Sequence, residues 1–437
     1  MNLTPVAGRS EFMQKLPGAI SPAFELPGTP ASGRAAESRE RSEVRGASVV
    51  VVDASCFTLP YDYSLCNALV GGGCEVLLVQ SEFLYANWDL HNSFKVSKHF
   101  YQRTYKWAAG RRQGRFWKLA KAADHLFGMR SLAAEVARSK PDIVHFQWLP
   151  APLLDQFCLP ELARHSRLVL TLHNTAAFHG SAFARFTQKL GLERALRHFS
   201  KIIVHTEFSR RTVLERGWAE PERVHVVPHG VLDYYRSMPE DPVSSDQDLR
   251  VLFFGNIEVY KGLDVLLKAF ARLPEKVGRK TRLVVAGRPG CDMTVLKQLA
   301  SSLGIQDRVE WKLGFIPEQE VAGLFRSAAI VALPYLEIDQ SGVLLTAIGF
   351  ERPIVATRVG GIPETIQDGV HGALVEPGDV DGLATALGTM LGDPGARHSA
   401  EKALHALRTG PLSWDRAAFE TIKVYNRLLD QAGNHRQ

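Results

Sequence analysis

The chain alternates short, uninterrupted apolar runs with longer segments of helical period. The runs begin at Ser48-Val49-Val50-Val51-Val52-Asp53 and recur at Glu75-Val76-Leu77-Leu78-Val79 and Asp142-Ile143-Val144-His145-Phe146. Three more follow: Arg167-Leu168-Val169-Leu170-Thr171-Leu172, Lys201-Ile202-Ile203-Val204-His205 and Val224-His225-Val226-Val227-Pro228. Runs this rich in β-branched residues read as strands buried on both faces, which means a parallel sheet covered by helices. Between the first two, Leu59-Pro60-Tyr61-Asp62 opens a helix carrying Leu65, Leu69 and Val70. Gly71-Gly72-Gly73 ends that helix as a C-cap and is not a phosphate loop.

A polar, Pro-containing stretch then breaks the pattern, which restarts at Arg250-Val251-Leu252-Phe253-Phe254-Gly255. It continues through Leu283 to Gly287, Val309 to Trp311, Ala329 to Leu333 and Arg352 to Thr357. A last helix is apolar at Phe419, Ile422, Tyr425 and Leu428. The predicted organisation is therefore a leader without apolar period (1–47), a first Rossmann-like α/β domain (48–236) and a linker (237–248). A second Rossmann-like domain (249–413) and a terminal helix (414–432) complete it. Two doubly wound sheets place a ligand in the cleft at the carboxyl ends of their strands.

Composition narrows this further. A length of 437 residues suits two domains rather than one core. No run of about 18 apolar residues predicts a membrane span, and the N-terminus lacks the pattern of a secretory signal. The five cysteines form no C-x-x-C pair or zinc spacing and read as free thiols of a reducing compartment. Asp246-Gln247-Asp248 lies in the linker and Asp379-Val380-Asp381 reads as a helix cap, so no metal site is expected. The absence of G-x-S-x-G and G-x-x-x-x-G-K-[ST] disfavours hydrolase and P-loop chemistry.

Two strand-to-helix steps carry anion chemistry. In Gln340-Ser341-Gly342-Val343, small residues open a helix whose free N–H groups and dipole attract a phosphate. In Gly255-Asn256-Ile257-Glu258-Val259-Tyr260-Lys261-Gly262, a lysine precedes a helix with Leu263, Leu266, Leu267 and Phe270 on one face. A cation there opposes the dipole and calls for a compensating anion. His173 ends a buried strand at the cleft, whereas His145, His205 and His229 at similar strand ends read as structural. Arg288 follows another strand end.

Taken together, the Gly255 to Gly262 turn, the Ser341-Gly342-Val343 step, Pro353-Ile354-Val355-Ala356-Thr357 and Gly360-Gly361-Ile362-Pro363-Glu364 resemble glycosyltransferase family 4, of the GT-B fold. Leu170-Thr171-Leu172-His173-Asn174 and Val227-Pro228-His229-Gly230-Val231 extend the resemblance over residues 48 to 430. It implies transfer of a sugar from a nucleotide-sugar donor to an acceptor, usually with retention and without a metal or cofactor. It implies donor contacts at Gly255, Asn256, Lys261, Arg288, Ser341, Gly342, Val343 and Thr346, with Phe315 and Ile316 beside the base. His173 falls beside the sugar, Tyr61 and Asp62 on the acceptor side, and the terminal helix on the first domain. The family's two glutamates, eight positions apart, fall on Ile338 and Thr346. Glu337 and Asp339 flank the first, so an acid is expected to reach the donor sugar, and His173, Lys261 and Asp339 form the expected catalytic set. Polysaccharide-assembly members share the Gln-Ser-Gly-Val variant, which points to a glycan or lipid-linked acceptor.

Residues 94–130 hold ten Lys or Arg and one acid, Asp124, with Phe100, Tyr101, Tyr105, Trp107, Phe116 and Trp117 interleaved. That mixture suits an anionic membrane surface at the cytoplasmic face, at about 1 kcal/mol per cation. No nucleic-acid fold motif accompanies it. Another GT-B activity such as a nucleotide-sugar epimerase, or a non-catalytic binding scaffold, stays open as an alternative.

Overall fold

The computed structural model describes residues 46–56, 59–83, 92–108, 115–175, 191–238 and 248–433. The predicted leader up to residue 45 and residues 239–247 of the predicted linker lie outside the described residues. The first sheet contains β1 (Ser48–Asp53), β2 (Glu75–Ser81), β3 (Lys95–Phe100), β4 (Ile143–Phe146), β5 (Arg167–Thr171), β6 (Lys201–Val204) and β7 (Val224–Val226). The second contains β8 (Leu249–Phe254), β9 (Thr281–Gly287), β10 (Val309–Leu313), β11 (Ile330–Leu333), β12 (Ile354–Thr357) and β13 (Gly372–Val375). Their orders are β3-β2-β1-β4-β5-β6-β7 and β10-β9-β8-β11-β12-β13. Every pairing is parallel. The two-domain α/β reading thus holds, and strand order reverses at β1/β4 and at β8/β11, where such sheets open a ligand crevice.

Burial on both faces explains the uninterrupted apolar runs. Val50 and Val52 join a core with Phe146, Leu132 and Phe199. Val49 and Val51 join another with Leu65, Leu69, Ile422 and Tyr425. β3 escaped prediction because Lys95-Val96-Ser97-Lys98-His99-Phe100 is an edge strand, exposed at Lys95, Val96 and Lys98. Charged edges of this kind discourage pairing with other chains.

The helix Trp414–Gly433 packs on the first domain, against the helix Leu59–Gly71. Gly72 makes this approach possible, since a Cβ there would lie 2.5 Å from Ile422 Cδ1. The buried face is Ala417, Ala418, Thr421, Ile422, Val424, Tyr425 and Leu428. Phe419, expected on it, lies only half-buried under Arg416 and Lys423 instead. Tyr425 Oη lies 2.7 Å from Nδ1 of the buried His145, whose Nε2 lies 2.7 Å from Thr171 Oγ1.

Truncation before Trp414 is expected to destabilise the chain severely, because Ile422, Tyr425 and Leu428 each contribute about 1.5–3 kcal/mol by burial. Tyr425→Phe isolates one element of that loss: it leaves His145 Nδ1 without a partner, at about 1–3 kcal/mol. Urea denaturation of both variants checks this, and a truncated chain as stable as the parent would contradict the packing.

Candidate active site

The second domain builds an anion cradle from two chain reversals. β8 ends at Gly255, whose φ of +101° needs glycine. A 3-10 turn, Val259–Lys261, follows, and Gly262 (φ +66°) then caps the helix Leu263–Ala271. A Cβ on Gly262 would lie 2.0 Å from Pro334 O. A Cβ on Gly255 would lie 2.9 Å from Lys261 Nζ and 3.4 Å from Val343 Cγ2. The ammonium and the first turn of the helix Gly342–Gly349 therefore meet over one bare backbone position. Ser341 caps that helix, its Oγ accepting from Leu344 N at 3.2 Å. The Gly342 and Val343 N–H groups have no partner among the described residues.

Lys261 is 8% exposed. It precedes the helix cap rather than occupying the first turn. Its Nζ lies 5.7 Å from the Tyr335 ring, and no hydrogen bond or ion pair holds it among the described residues. Burial pushes its pKa down to about 8, opposed only by the charge of Glu258. A buried ammonium with no ion pair among the described residues, next to two free amides, suits an anion.

The other donor-side candidates separate. Asn256 and Arg288 are exposed where β8 and β9 end, and Phe315 is exposed beside a half-buried Ile316. Glu337 is exposed. Two expectations are corrected. Thr346 was to offer its hydroxyl to the donor, but it is buried and donates that proton to Gly342 O at 2.9 Å within its own helix. Asp339 was to reach the donor sugar; instead it is buried, and its Oδ2 accepts from Thr175 N at 2.6 Å and Thr175 Oγ1 at 2.7 Å, across the cleft. Glu364 makes a second crossing, accepting from Glu207 N at 2.6 Å and Phe208 N at 2.8 Å. Gly361 permits it, because a Cβ there would lie 2.4 Å from Thr206 Cγ2. Neither Thr175 nor the role of Glu364 had a signal in the sequence, since the partners are 164 and 157 residues apart.

The first domain supplies aromatic rings. Tyr61 lies edge-on to His173 at 4.9 Å, His229 at 4.7 Å and Trp414 at 5.0 Å. Trp148 stacks on the other side of His173 at 4.6 Å. Burial, then the neighbouring imidazoles, hold His173 and His229 well below the usual histidine range, and burial pushes His205 down to about 4. All three are neutral at physiological pH. His205 and His229 had read as structural; they converge on His173 because each ends a neighbouring strand or follows one, which strand-end position alone could have suggested. Asp62, expected on the acceptor side, is fully buried with neither oxygen partnered. Burial, then the Asp53 carboxylate, raise its pKa well above the carboxylate range, so it lies beneath the floor as a neutral acid.

Comparison with known proteins identifies the family. The family description Glycosyltransferase Family 4 matches residues 61–232, and Glycosyl transferases group 1 matches residues 248–393. A D-inositol 3-phosphate glycosyltransferase of Mycolicibacterium paratuberculosis is 31% identical over 323 residues, covering 68% of this chain and 69% of that protein. Its counterpart in Mycobacterium marinum is 30% identical over 71% and 70% of the two chains. Among solved structures, sucrose-phosphate synthase from Thermosynechococcus elongatus superposes with a TM-score of 0.65 at 18% identity, over 89% of this chain and 100% of that one. Anabaena Alr3699/HepE in complex with UDP-glucose gives 0.60 at 16% identity, over 88% and 100%. At those identities the structures speak for the fold alone. The sequence relatives carry the rest: with both halves matched and two thirds of the chain aligned to such enzymes, this protein belongs to glycosyltransferase family 4 and has the GT-B fold.

Proposed function

We propose that the protein transfers a hexose from a nucleoside-diphosphate sugar to an acceptor hydroxyl, with retention and without a metal. The observation that carries this reading is the convergence of Lys261 Nζ with the unpartnered Gly342 and Val343 amides over Gly255. In the reaction the bond from the anomeric carbon to the diphosphate oxygen breaks. The acceptor oxygen bonds to that carbon, and its proton leaves to the departing diphosphate. Negative charge thus grows where the cradle lies, and donors fixed in advance stabilise it most in the transition state. His173, neutral between Tyr61 and Trp148, is suited to hydrogen-bond sugar hydroxyls. UDP is the first nucleotide to test, because the Anabaena neighbour is described with UDP-glucose.

The acceptor is proposed to be a glycan on a lipid carrier at the inner face of the membrane. The helix Arg115–Ser139 supports this: Phe116 (82% exposed), Leu119 (68%) and Phe127 (53%) share one side with the exposed Arg130. Asp124, the one acid of the basic segment, does not neutralise it. It is buried and meets the start of the preceding helix, Gln102–Ala108, accepting from Thr104 N at 2.8 Å and Thr104 Oγ1 at 2.9 Å. Arg111 and Arg112 lie outside the described residues. Among the described residues no helix is long and apolar enough to cross a membrane. A second reading, a soluble polyol phosphate acceptor, follows from the D-inositol 3-phosphate glycosyltransferases.

Three outcomes are expected. Lys261→Ala should lower kcat/KM by about 10²–10³-fold with an unchanged melting temperature, and undiminished turnover would remove Lys261 from the site. Donor affinity should also fall with rising pH. The anion binds the protonated lysine, so UDP affinity is flat below the pKa near 8 and drops about tenfold per unit above it. Lys261→Arg should abolish that slope, since guanidinium does not deprotonate in this range; isothermal titration across pH checks both. Activity should persist in excess EDTA, and loss restored by Mg²⁺ would overturn the metal-free mechanism.

The membrane reading has its own test. The protein should co-sediment with anionic vesicles and not neutral ones, and 1 M salt, where the Debye length is about 3 Å, should release it. Phe116→Ser with Leu119→Ser should weaken vesicle binding while UDP binding is unaffected. Full activity on inositol phosphate, with no vesicle binding, would instead favour the polyol phosphate acceptor.

A further inference from the structure

The cleft contains a cluster of ligating groups that shares one member, His173, with the proposed sugar site. One ligating nitrogen from each of His173, His205 and His229 lies within 4.8 Å of the others. His205 Nδ1–H donates to Val227 O at 2.9 Å, and His229 Nδ1–H donates to Gly230 O at 2.5 Å. Each neutral ring therefore carries its lone pair on Nε2. His173 Nε2 lies 3.4 Å from Gln147 Oε1, and its Nδ1 lies 3.3 Å from His205 Nε2. With its proton on Nε2, toward Gln147, His173 turns a lone pair toward the lone pair of His205.

That arrangement repels unless a cation sits between the nitrogens. Two imidazole nitrogens each about 2.0–2.1 Å from a tetrahedral zinc are about 3.3 Å apart, which matches the His173–His205 pair; the three nitrogens together spread to as much as 4.8 Å, so His229 has to turn inward to complete the set. Each ring also has an oxygen on its far side, Val227 O, Gly230 O or Gln147 Oε1, and such partners fix the tautomer of metal-bound histidines. Without a cation, the His173 proton moves to Nδ1 and donates to His205. The Gln147 amide then turns its NH₂, which is buried without a partner, toward Nε2. Metal binding reverses that one-proton rearrangement.

We propose that His173, His205 and His229 form a binding site for a divalent late transition metal, Zn²⁺ by its fit, with the fourth position open to the cleft. His173 and His229 are partly exposed, which gives the ion a way in. The metal would act as an inhibitor and not as a cofactor, a consequence that rests on the sugar lying beside His173. Zn²⁺ and the nucleotide-sugar would then compete for one imidazole, while UDP alone, held by the second domain, would not compete.

Untagged full-length protein, stripped with chelator, is titrated with Zn²⁺ by calorimetry and with Co²⁺ by visible absorption. One ion per chain and the intense d–d bands of tetrahedral cobalt are expected. His229→Ala and His205→Ala should abolish both signals, His229→Cys should restore them, and Gln147→Ala should weaken Zn²⁺ binding about 10–100-fold. Should the histidine variants not fold, as judged by metal-free melting, the Gln147 variant decides. No stoichiometric binding, or binding indifferent to these substitutions, overturns the site. Zn²⁺ raising KM for the nucleotide-sugar without changing UDP affinity supports the inhibitory role, and Zn²⁺ without effect on KM overturns it. UDP-induced thermal stabilisation of the metal-free protein is read separately: its absence would defeat the proposed function and leave the metal site standing.

Discussion

A carboxylate buried between two domains has to be supplied with donors, and here they come from the opposite domain. Asp339 is 4% exposed and receives both the N–H and the hydroxyl of Thr175. A hydrogen bond to a charged group contributes about 1.5–3 kcal/mol. When the cleft opens, water replaces the lost donors, so the contact is a latch and not a weld. Glu364 repeats the device at the start of the helix Glu207–Glu215, where free amides and the dipole favour a negative charge. Closure in this conformation therefore depends on charge-assisted bonds of fixed direction, which set the register of the two sheets in a way that apolar contact alone would not.

The register has chemical consequences. Thr175 lies two residues beyond His173, and Asp339 lies two before Ser341. The latch thus draws together the strand end that presents a neutral imidazole and the helix end that presents free amides. The two sides differ in character for physical reasons. The second domain uses a lysine and backbone dipoles, which suit a diphosphate. The first uses rings whose burial keeps them uncharged, which suits hydroxyl groups and would not hold the diphosphate as strongly.

The sheets and the backbone of the Gly255–Gly262 turn were legible in the sequence because their signals are local. β-branched runs announce buried parallel strands, and Gly255, Lys261 and Gly262 lie within one turn whose backbone requirements appear in the residue types themselves. β3 was not legible, since an edge strand need not be apolar. The buried positions of Asp62 and Asp339 were hidden for a different reason. An acid looks alike in sequence whether it faces ligand or core, and only its long-range neighbours decide. The same holds for His205 and His229: what joins them to His173 is adjacency of β5, β6 and the segment after β7 in the sheet, a property of strand order that spacing along the chain does not carry.

The departures at Ile338 and Thr346 can now be given a physical reading. Ile338 packs at the edge of the core beneath the Gly360 turn, where a Cβ on Gly360 would lie 1.7 Å from Ile338 O. A carboxylate placed there would lie beside Asp339, whose charge is already committed to Thr175. Two acids in that space would repel, and one would have to take up a proton. At Thr346 a glutamate could have reached beyond the helix, but the short hydroxyl turns back onto Gly342 O. Both positions thus serve the packing of the loop and the helix that carry the cradle. In the proposed reading, donor recognition falls correspondingly on groups that need no carboxylate: the buried ammonium, the open helix amides and the imidazole of His173. A site of that composition holds its substrate chiefly by the diphosphate, and its sugar selectivity has to arise from the ring-lined floor of the first domain.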